Sequence, residues 1–246
     1  VRIAILSDIH GNLEALARVC EHAGAHGAER YACLGDFVGY GADPGPTLAR
    51  VMALPGLIAV RGNHDEALFQ EDMTGGTYPD VLASISWARA RLTAAQREFL
   101  ADLPLLVRDG VATYAHASAH RPDAWEYLCQ PEQIQACLEA AGTPVTFIGH
   151  VHVPRVFYET AGGAVRELEP RDGTAIPLSA GARYVVNVGS VGQPRDGNNA
   201  ACYALYDEAA QEVTFHRLAY DYGATAAKIR AAGLSPFFAE RLAYGR

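Results

Sequence analysis

Arg2-Ile3-Ala4-Ile5-Leu6-Ser7-Asp8-Ile9-His10 opens the chain, and its reading decides the rest. The first five residues form a short, mostly apolar run with β-branched side chains that stops at polar Ser7-Asp8, the pattern of a buried strand. From Asn12 to about Ala25 the apolar positions Leu13, Leu16, Ala17, Val19 and Cys20 recur at helical spacing, with Asn12 as the cap and Gly24 or Gly27 as the stop. The rhythm then repeats. Tyr31 to Leu34 is a predicted strand ending at Gly35-Asp36, Pro46 to Leu54 a helix closed by Pro55-Gly56, and Leu57 to Val60 a strand ending at Gly62-Asn63-His64. Strand and helix alternating through short connections imply βαβ units and a mostly parallel sheet.

After His64 the pattern changes. Residues from about Tyr78 to Leu103 read as helical, with Thr93 and Gln96 as a capping box for the second half, and the segment from about Gln70 to Leu103 is expected to contribute a wall of a cleft. Strand-like runs resume at Leu105 to Val107, Val111 to Tyr114, Val145 to Ile148, Val153 to Tyr158, Tyr184 to Val188, Ala201 to Tyr206 and Glu212 to Phe215. Turn signals such as Asp109-Gly110, Gly162-Gly163 and Gly197-Asn198 mark antiparallel hairpins among them. So many strands exceed one comfortable sheet, and the expected fold is α/β, with two packed mixed sheets flanked by helices. The chain reads as one domain over 1–246, ending in a helical tail from about Tyr222 to Arg246 that breaks at Gly233-Leu234-Ser235-Pro236.

Composition excludes several classes of function. Among 246 residues, 28 acidic against 20 basic side chains give a formal charge of −8, which disfavours a general nucleic-acid binder and a nuclease, since phosphate backbones demand a basic surface. Five cysteines without a CxxC pair, in a chain long enough to bury its own core, point to reduced thiols. No apolar run is long enough to span a bilayer, and the first residues lack the basic-then-apolar order of a signal peptide, so a soluble cytoplasmic protein is expected.

Five polar clusters follow predicted strands in order: Asp8-Ile9-His10, Gly35-Asp36, Gly62-Asn63-His64, His116 and Gly149-His150-Val151-His152. Ligands bind at the carboxyl ends of strands in α/β sheets, so these distant clusters could meet in space. Asp8, His10, Asp36, Asn63, His116, His150 and His152 make a mixed oxygen and nitrogen set without sulfur, which suits Mn²⁺, Fe or Zn²⁺ better than Ca²⁺ and excludes an iron–sulfur cluster. Seven ligands are too many for one tetrahedral ion and suit two ions that share a carboxylate.

The ordered pattern DxH, GD, GNH, a lone His and GHxH resembles the calcineurin-like metallophosphoesterase superfamily. The GDFVGYG loop and the GSVGQPRDG run from Gly189 to Gly197 are similar to its small bacterial phosphodiesterase and phosphatase branch, including diadenosine-tetraphosphatase-like relatives. The resemblance implies a four-layer α/β/β/α sandwich and two divalent transition ions, Mn first among them, with Fe, Zn, Ni or Co as alternatives. It also implies that Asp8, His10 and His152 hold one ion, Asn63, His116 and His150 the other, and that Asp36 bridges them. His64 matches the residue that contacts the substrate phosphate and protonates the leaving oxygen. The implied reaction is hydrolysis of small phosphodiesters, with monoesters as a second substrate class, by a hydroxide held between the metals. Dinucleoside polyphosphate hydrolysis is the alternative within that chemistry. A non-catalytic scaffold on the same fold is the alternative outside it, disfavoured because this chain keeps His64 and every ligand.

Elementary electrostatics agrees, because two divalent ions outweigh the charges of Asp8 and Asp36 and leave a positive site for an anion inside an acidic protein. One departure narrows the substrate. Where phosphoprotein phosphatases of the superfamily carry an acid and an arginine after GD, this chain has Gly39 and Tyr40, so a phosphoprotein is not expected. Arg195, in Pro-Arg-Asp-Gly, is the candidate phosphate grip, since arginine binds phosphate through two parallel hydrogen bonds. His120 is a candidate substrate contact. Asp65 adjoins His64, but neighbouring side chains on extended backbone point apart, so it is not assigned to orient that ring. His22 and His26, at i and i+4, read as a solvated helix face, and Trp125 and Tyr127 as loop packing ahead of base stacking.

Overall fold

Both faces of the opening strand are buried, each against a different partner. In β1 (Arg2–Leu6), Ile3 and Ile5 pack into one apolar cluster with Tyr114, Phe147 and Val186, while Ala4 and Leu6 pack into another with Ala15, Leu16 and Val19 of the following helix. Side chains alternate across a strand, so a run apolar at every position serves a sheet covered on both sides.

The computed structural model describes residues 1–70 and 79–246. After β1 the strands are β2 (Arg30–Cys33), β3 (Ile58–Ala59), β4 (Leu106–Asp109), β5 (Ala112–Ala115), β6 (Val145–Ile148), β7 (Arg155–Glu159), β8 (Val165–Leu168), β9 (Ala175–Pro177), β10 (Tyr184–Asn187), β11 (Ala201–Asp207) and β12 (Glu212–Leu218). The helices are α1 (Leu13–Ala25), α2 (Pro44–Met52), α3 (Asn63–Ala67), α4 (Pro79–Arg89), α5 (Ala94–Asp102), α6 (Pro131–Ala141), α7 (Tyr222–Ala231) and α8 (Pro236–Glu240). Two six-stranded sheets result, ordered β3-β2-β1-β11-β12-β9 and β4-β5-β6-β10-β7-β8. Each is mixed. β1, β2 and β3 run parallel in the first sheet, β5, β6 and β10 in the second, and antiparallel hairpins complete both.

The sheets pack face to face, with Tyr114, Phe147 and Tyr206 stacked between them. Outside the first sheet lie α1 and α2. Outside the second lies α6, whose Ile134, Cys137, Leu138 and Ala141 meet Ala115, Ile148, Phe157 and Val185. The four-layer α/β/β/α expectation therefore holds. Among the described residues no helix is long and apolar enough to cross a membrane.

Local signals act as the sequence predicts at several points. Asn12 caps α1 by accepting from the Ala15 N–H, and Thr93 and Gln96 close a reciprocal capping box on α5. Tyr78 lies outside the described residues. In the described part of the Gln70 to Leu103 segment, Ser84 of α4 accepts from the Tyr40 N–H, and Val81 and Trp87 pack against the apolar cluster that holds Tyr40. Helix α6 and strands β8 and β9 go beyond the sequence reading. The helix carried its signals, apolar residues at helical spacing after Pro131 with Gly142 at φ 75° as the stop, whereas β8 and β9 are short and mostly exposed.

His22 and His26 acquire a third imidazole that their spacing does not announce. His216 of β12 lies 4.8 Å from the His22 ring and 5.4 Å from the His26 ring, and it stacks on Tyr203 of β11. One nitrogen of each helical ring is engaged: His22 Nδ1 meets the Tyr203 hydroxyl at 2.8 Å, and His26 Nδ1 donates to the His22 carbonyl. Burial, then His22 and His26, push His216 down to about 4 against the partial offset of Asp172. A lowered histidine favours the fold while neutral, so this contribution is complete above the ordinary value near 6.5 and is lost as pH falls from there toward 4. His216→Phe should therefore flatten the fall of Tm across that window in thermal melts, and a variant with the parent's pH slope would remove the coupling.

Candidate metal centre

Every polar cluster in the sequence follows the carboxyl end of a parallel strand. Asp8 and His10 follow β1, Asp36 follows β2, Asn63 and His64 follow β3, His116 follows β5, and His150 and His152 follow β6. The Gly189 to Gly197 run follows β10, parallel to β6. The two sheets thus direct their loop tips to one edge of the sandwich.

The tips are held in a costly backbone conformation. Asp8, His10, Asp36, His150 and His152 all have positive φ, between 50° and 67°, where a side chain costs roughly 1–2 kcal/mol per residue. Hydrogen bonds between loops offset that strain. His10 N donates to the Asp36 carbonyl, Gly149 N to the His116 carbonyl and Gly192 N to the Asp8 carbonyl, while the Ser190 hydroxyl also donates to Asp8 O. At Gly149 any Cβ would strike Ser7 and the Asp8 carboxylate, so glycine is what lets the GHxH loop approach. Asp65 performs a task that sequence spacing does not reveal. Fully buried, its carboxylate accepts the backbone N–H groups of Asp36, Phe37 and Gly62, which locks the GD loop to the GNH loop. Only its place in GNHD hinted at it, and it makes no bond to the His64 ring.

Each of the four candidate ligand histidines donates one ring N–H to a main-chain carbonyl. His10 Nδ1 donates to Val38 (2.9 Å), His116 Nδ1 to Leu34 (2.7 Å), His152 Nδ1 to Gln193 (2.6 Å) and His150 Nε2 to Trp125 (3.0 Å). These bonds fix the tautomers, so the opposite nitrogen of each neutral ring is a bare lone pair. The lone pairs face one another. His10 Nε2 and His152 Nε2 are 3.2 Å apart, and His116 Nε2 is 3.1 Å from both His150 Nδ1 and Asn63 Oδ1.

The carboxylates join the same interior. Each commits one oxygen to an N–H, Asp8 Oδ2 to His150 N and Asp36 Oδ1 to His64 N, and turns the other inward. Asp8 Oδ1 lies 3.1 Å from His152 Nε2 without a hydrogen, because that nitrogen carries no proton, and it is left buried without a donor. Asp36 Oδ2 reaches both sides, 3.7 Å from His10 Nε2 and 3.5 Å from His116 Nε2. Burial, then the Asp8 charge, raises Asp36 well above the usual carboxylate range, and burial, then His116, pushes His150 down to about 3. An interior in which so many acceptors face one another suits a cation, and these residues fit divalent metal. They fall into groups, Asp8 with His10 and His152, and Asp36 with His116 and His150, while His64 makes a third group with His10 and Asp36.

The remaining candidates lie around this centre. His64 Nε2 is 3.9 Å from Asp36 Oδ2, while its Nδ1 is buried without a partner against Gly39, where any Cβ would collide with the ring. Tyr40, which the sequence marks only by an absent arginine, packs its ring 4.5 Å from His10 and 4.7 Å from His64. Arg195 lies over Tyr40, with Nη2 donating to Gln193 Oε1 at 2.9 Å and to the Tyr40 hydroxyl at 3.4 Å. His120 is exposed, in the loop beyond His116, and lies outside the cluster.

This edge-mounted acceptor cluster on a four-layer sandwich defines the class. The sequence profile of the calcineurin-like phosphoesterase superfamily domain matches residues 1–211, and the chain belongs to that family. An uncharacterized protein of Methanocaldococcus jannaschii is 33% identical over 99% of this chain and 98% of its own length. A metallophosphoesterase from Sphaerobacter thermophilus is 38% identical, with a TM-score of 0.88 over 100% of this chain and 99% of that one. A hypothetical protein from Pyrococcus horikoshii shares the fold at 20% identity, with a TM-score of 0.77 over 100% and 98% of the two chains. The family and the fold neighbours make this chain a hydrolase of the phosphoesterase class.

A cation that fills the cluster binds the folded state alone, so metal should raise stability. Mn²⁺ at about 100 times its Kd adds about 2.7 kcal/mol, or roughly 5–10 °C in Tm for a chain of this size. Asp36→Asn should lose most of that shift in scanning calorimetry, and a full shift in the variant would remove Asp36 from the ligand set. Gly39→Ala should retain metal by elemental analysis yet lose most turnover, because the new methyl displaces the His64 ring; normal turnover would show that the ring's seat does not matter.

Proposed function

We propose that this chain is a phosphoesterase working with two divalent transition ions, Mn²⁺ first among them, on small phosphodiesters and also on monoesters. The reading is carried by the converging acceptors, with one Asp36 oxygen within reach of ligands on both sides. Asp8, His10 and His152 would hold one ion, Asn63, His116 and His150 the other, with Asp36 between them. Ions bound there would lower the pKa of water toward about 7, supplying hydroxide at neutral pH, and would balance the charge of the phosphoryl oxygens.

The other steps belong to the chain's own side chains. His64 hands a proton to the departing ester oxygen. Its ring is wedged against Gly39, beside the inward oxygen of Asp36; burial, then His152 and Arg195, hold the ring well below the usual histidine range, and an anionic ester close to it opposes that shift. Arg195 grips the phosphoryl group. Its Nε is buried without a partner, and among the described residues its guanidinium bonds only the neutral Gln193 and Tyr40 side chains, so its charge is left for an anion. Nothing favours a substrate contact for His120. Small esters are the proposed partners, and neither a nucleic-acid strand nor a membrane surface suits a chain of charge −8.

The test strips the protein, reloads it separately with Mn²⁺, Zn²⁺, Mg²⁺ or Fe²⁺, and assays a monoester, a simple diester, cyclic nucleotides and a dinucleoside polyphosphate. His64→Ala should keep its metals and lose about 10²–10⁴-fold in kcat on esters with poor leaving groups, the usual share of general-acid help, with a smaller loss on p-nitrophenyl esters. Equal rates for parent and variant on poor leaving groups would end the general-acid assignment. Undiminished hydrolysis by metal-free protein would end the proposal itself.

A further inference from the structure

The loop between β5 and α6 carries His116 and then spends unusual conformations on two bulky residues. Arg121 (φ 48°, ψ 64°) and Trp125 (φ 53°, ψ 39°) flank a 3-10 turn at Pro122–Ala124, both in the left-handed region that bulky side chains avoid. The left-handed turn at Trp125 aims its carbonyl at His150 Nε2, and its indole meets the His116 ring edge-on at 5.9 Å. Two residues later Tyr127 lies flat on His150, with centroids 4.3 Å apart and planes 26° from parallel. One loop therefore lays an aromatic ring against each of the two histidines on the Asn63 side of the centre.

Tyr127 is no core residue. It is 54% exposed, with one face on His150 and the rest in solvent. Its position is at the mouth. In the polar cluster His64 and His150 keep 6% and 5% exposure and Asn63 is only half-buried, whereas Asp8, His10, Asp36, His116 and His152 keep 2% or less. A ligand reaches the centre from the His64, Asn63 and His150 side, and the Tyr127 ring forms a rim there.

We propose that Tyr127 is a stacking platform for a flat ring system carried by the phosphate ester, and so a determinant of substrate class: aryl or nucleoside esters over alkyl esters. This rests on the phosphoesterase reading. A phosphoryl group at the centre projects its ester substituent toward the mouth, where a planar group covers the open face of Tyr127. Stacking on an aromatic side chain tolerates any base or aryl ring, because every such ring has a π face. The contact is the same in the ground state and in the transition state, so it acts on KM ahead of kcat.

The metal-loaded protein, Tyr127→Ala and Tyr127→Phe are compared on bis(p-nitrophenyl) phosphate, thymidine 5′-(p-nitrophenyl) phosphate and bis(2,2,2-trifluoroethyl) phosphate. Tyr127→Ala should lower the ratio of kcat/KM on ring-bearing over alkyl esters about tenfold, through KM, and Tyr127→Phe should restore it. Unequal losses on the aryl and nucleoside esters identify which ring the platform serves. An unchanged ratio, with all three esters slowed alike or none slowed, overturns the platform and leaves Tyr127 as a cover for His150. Failure of the parent on every ester, whatever metal is loaded, defeats the phosphoesterase reading instead. Calorimetric binding of phenyl phosphate against methyl phosphate then still decides the platform, which falls if the parent binds both equally.

Discussion

Four imidazole lone pairs and two carboxylate oxygens turned toward one another in a buried space are the constraint around which this molecule is built. Such an arrangement repels itself in a dry interior and persists only because the chain enforces it from outside. The enforcement is specific: a main-chain carbonyl behind each ring fixes the tautomer, and a main-chain N–H behind each carboxylate fixes which oxygen turns inward. The left-handed backbone at Asp8, His10, Asp36, His150 and His152 belongs to the same balance, since strain at five candidate ligand positions survives only where neighbouring structure over-determines them.

The sandwich provides that over-determination. Parallel strands in both sheets end at one edge, and the loops leaving them hydrogen-bond to one another. Asp65 shows the principle, for a buried carboxylate that touches no candidate metal position ties three backbone N–H groups of two motifs into one rigid piece. The C-terminal helices extend the support. Phe238 of α8 packs on Tyr40, Tyr40 packs on His10 and His64, and Lys228 of α7 holds Glu14 of α1 together with Asp43. The tail thus buttresses the Tyr40 side of the centre. The aromatic loop after β5 lies against His116 and His150, so the surroundings of the centre differ in chemistry, cationic at Arg195 and aromatic at Tyr127.

Much of this could be read from the sequence because strand-end chemistry is local. A buried parallel strand is apolar at every position, and a polar triplet that interrupts the run at its carboxyl end stands out against it; Asp8-Ile9-His10 and Gly149-His150-Val151-His152 were visible for that reason. Less was legible where a residue acts through main-chain contacts with distant segments. Asp65 has no pattern of its own, and neither the seat that Gly39 makes for His64 nor the approach of His216 to His22 and His26 follows from spacing. The short exposed strands β8 and β9 escaped because a half-solvated edge strand has almost no apolar periodicity to detect.

The sequence by itself determined the two-sheet α/β architecture, the order of the polar clusters and the residue types available to a cation, since hydrophobic period and strand-end polarity are properties of neighbouring residues. Only the tertiary structure decided which ring nitrogens are bare, that an Asp36 oxygen reaches both halves of the cluster, that His120 stays outside it, and that Tyr127 lies on His150 at the mouth. Those outcomes depend on contacts between segments far apart in the chain, where carbonyls and N–H groups of one loop orient the side chains of another, and no local pattern encodes them.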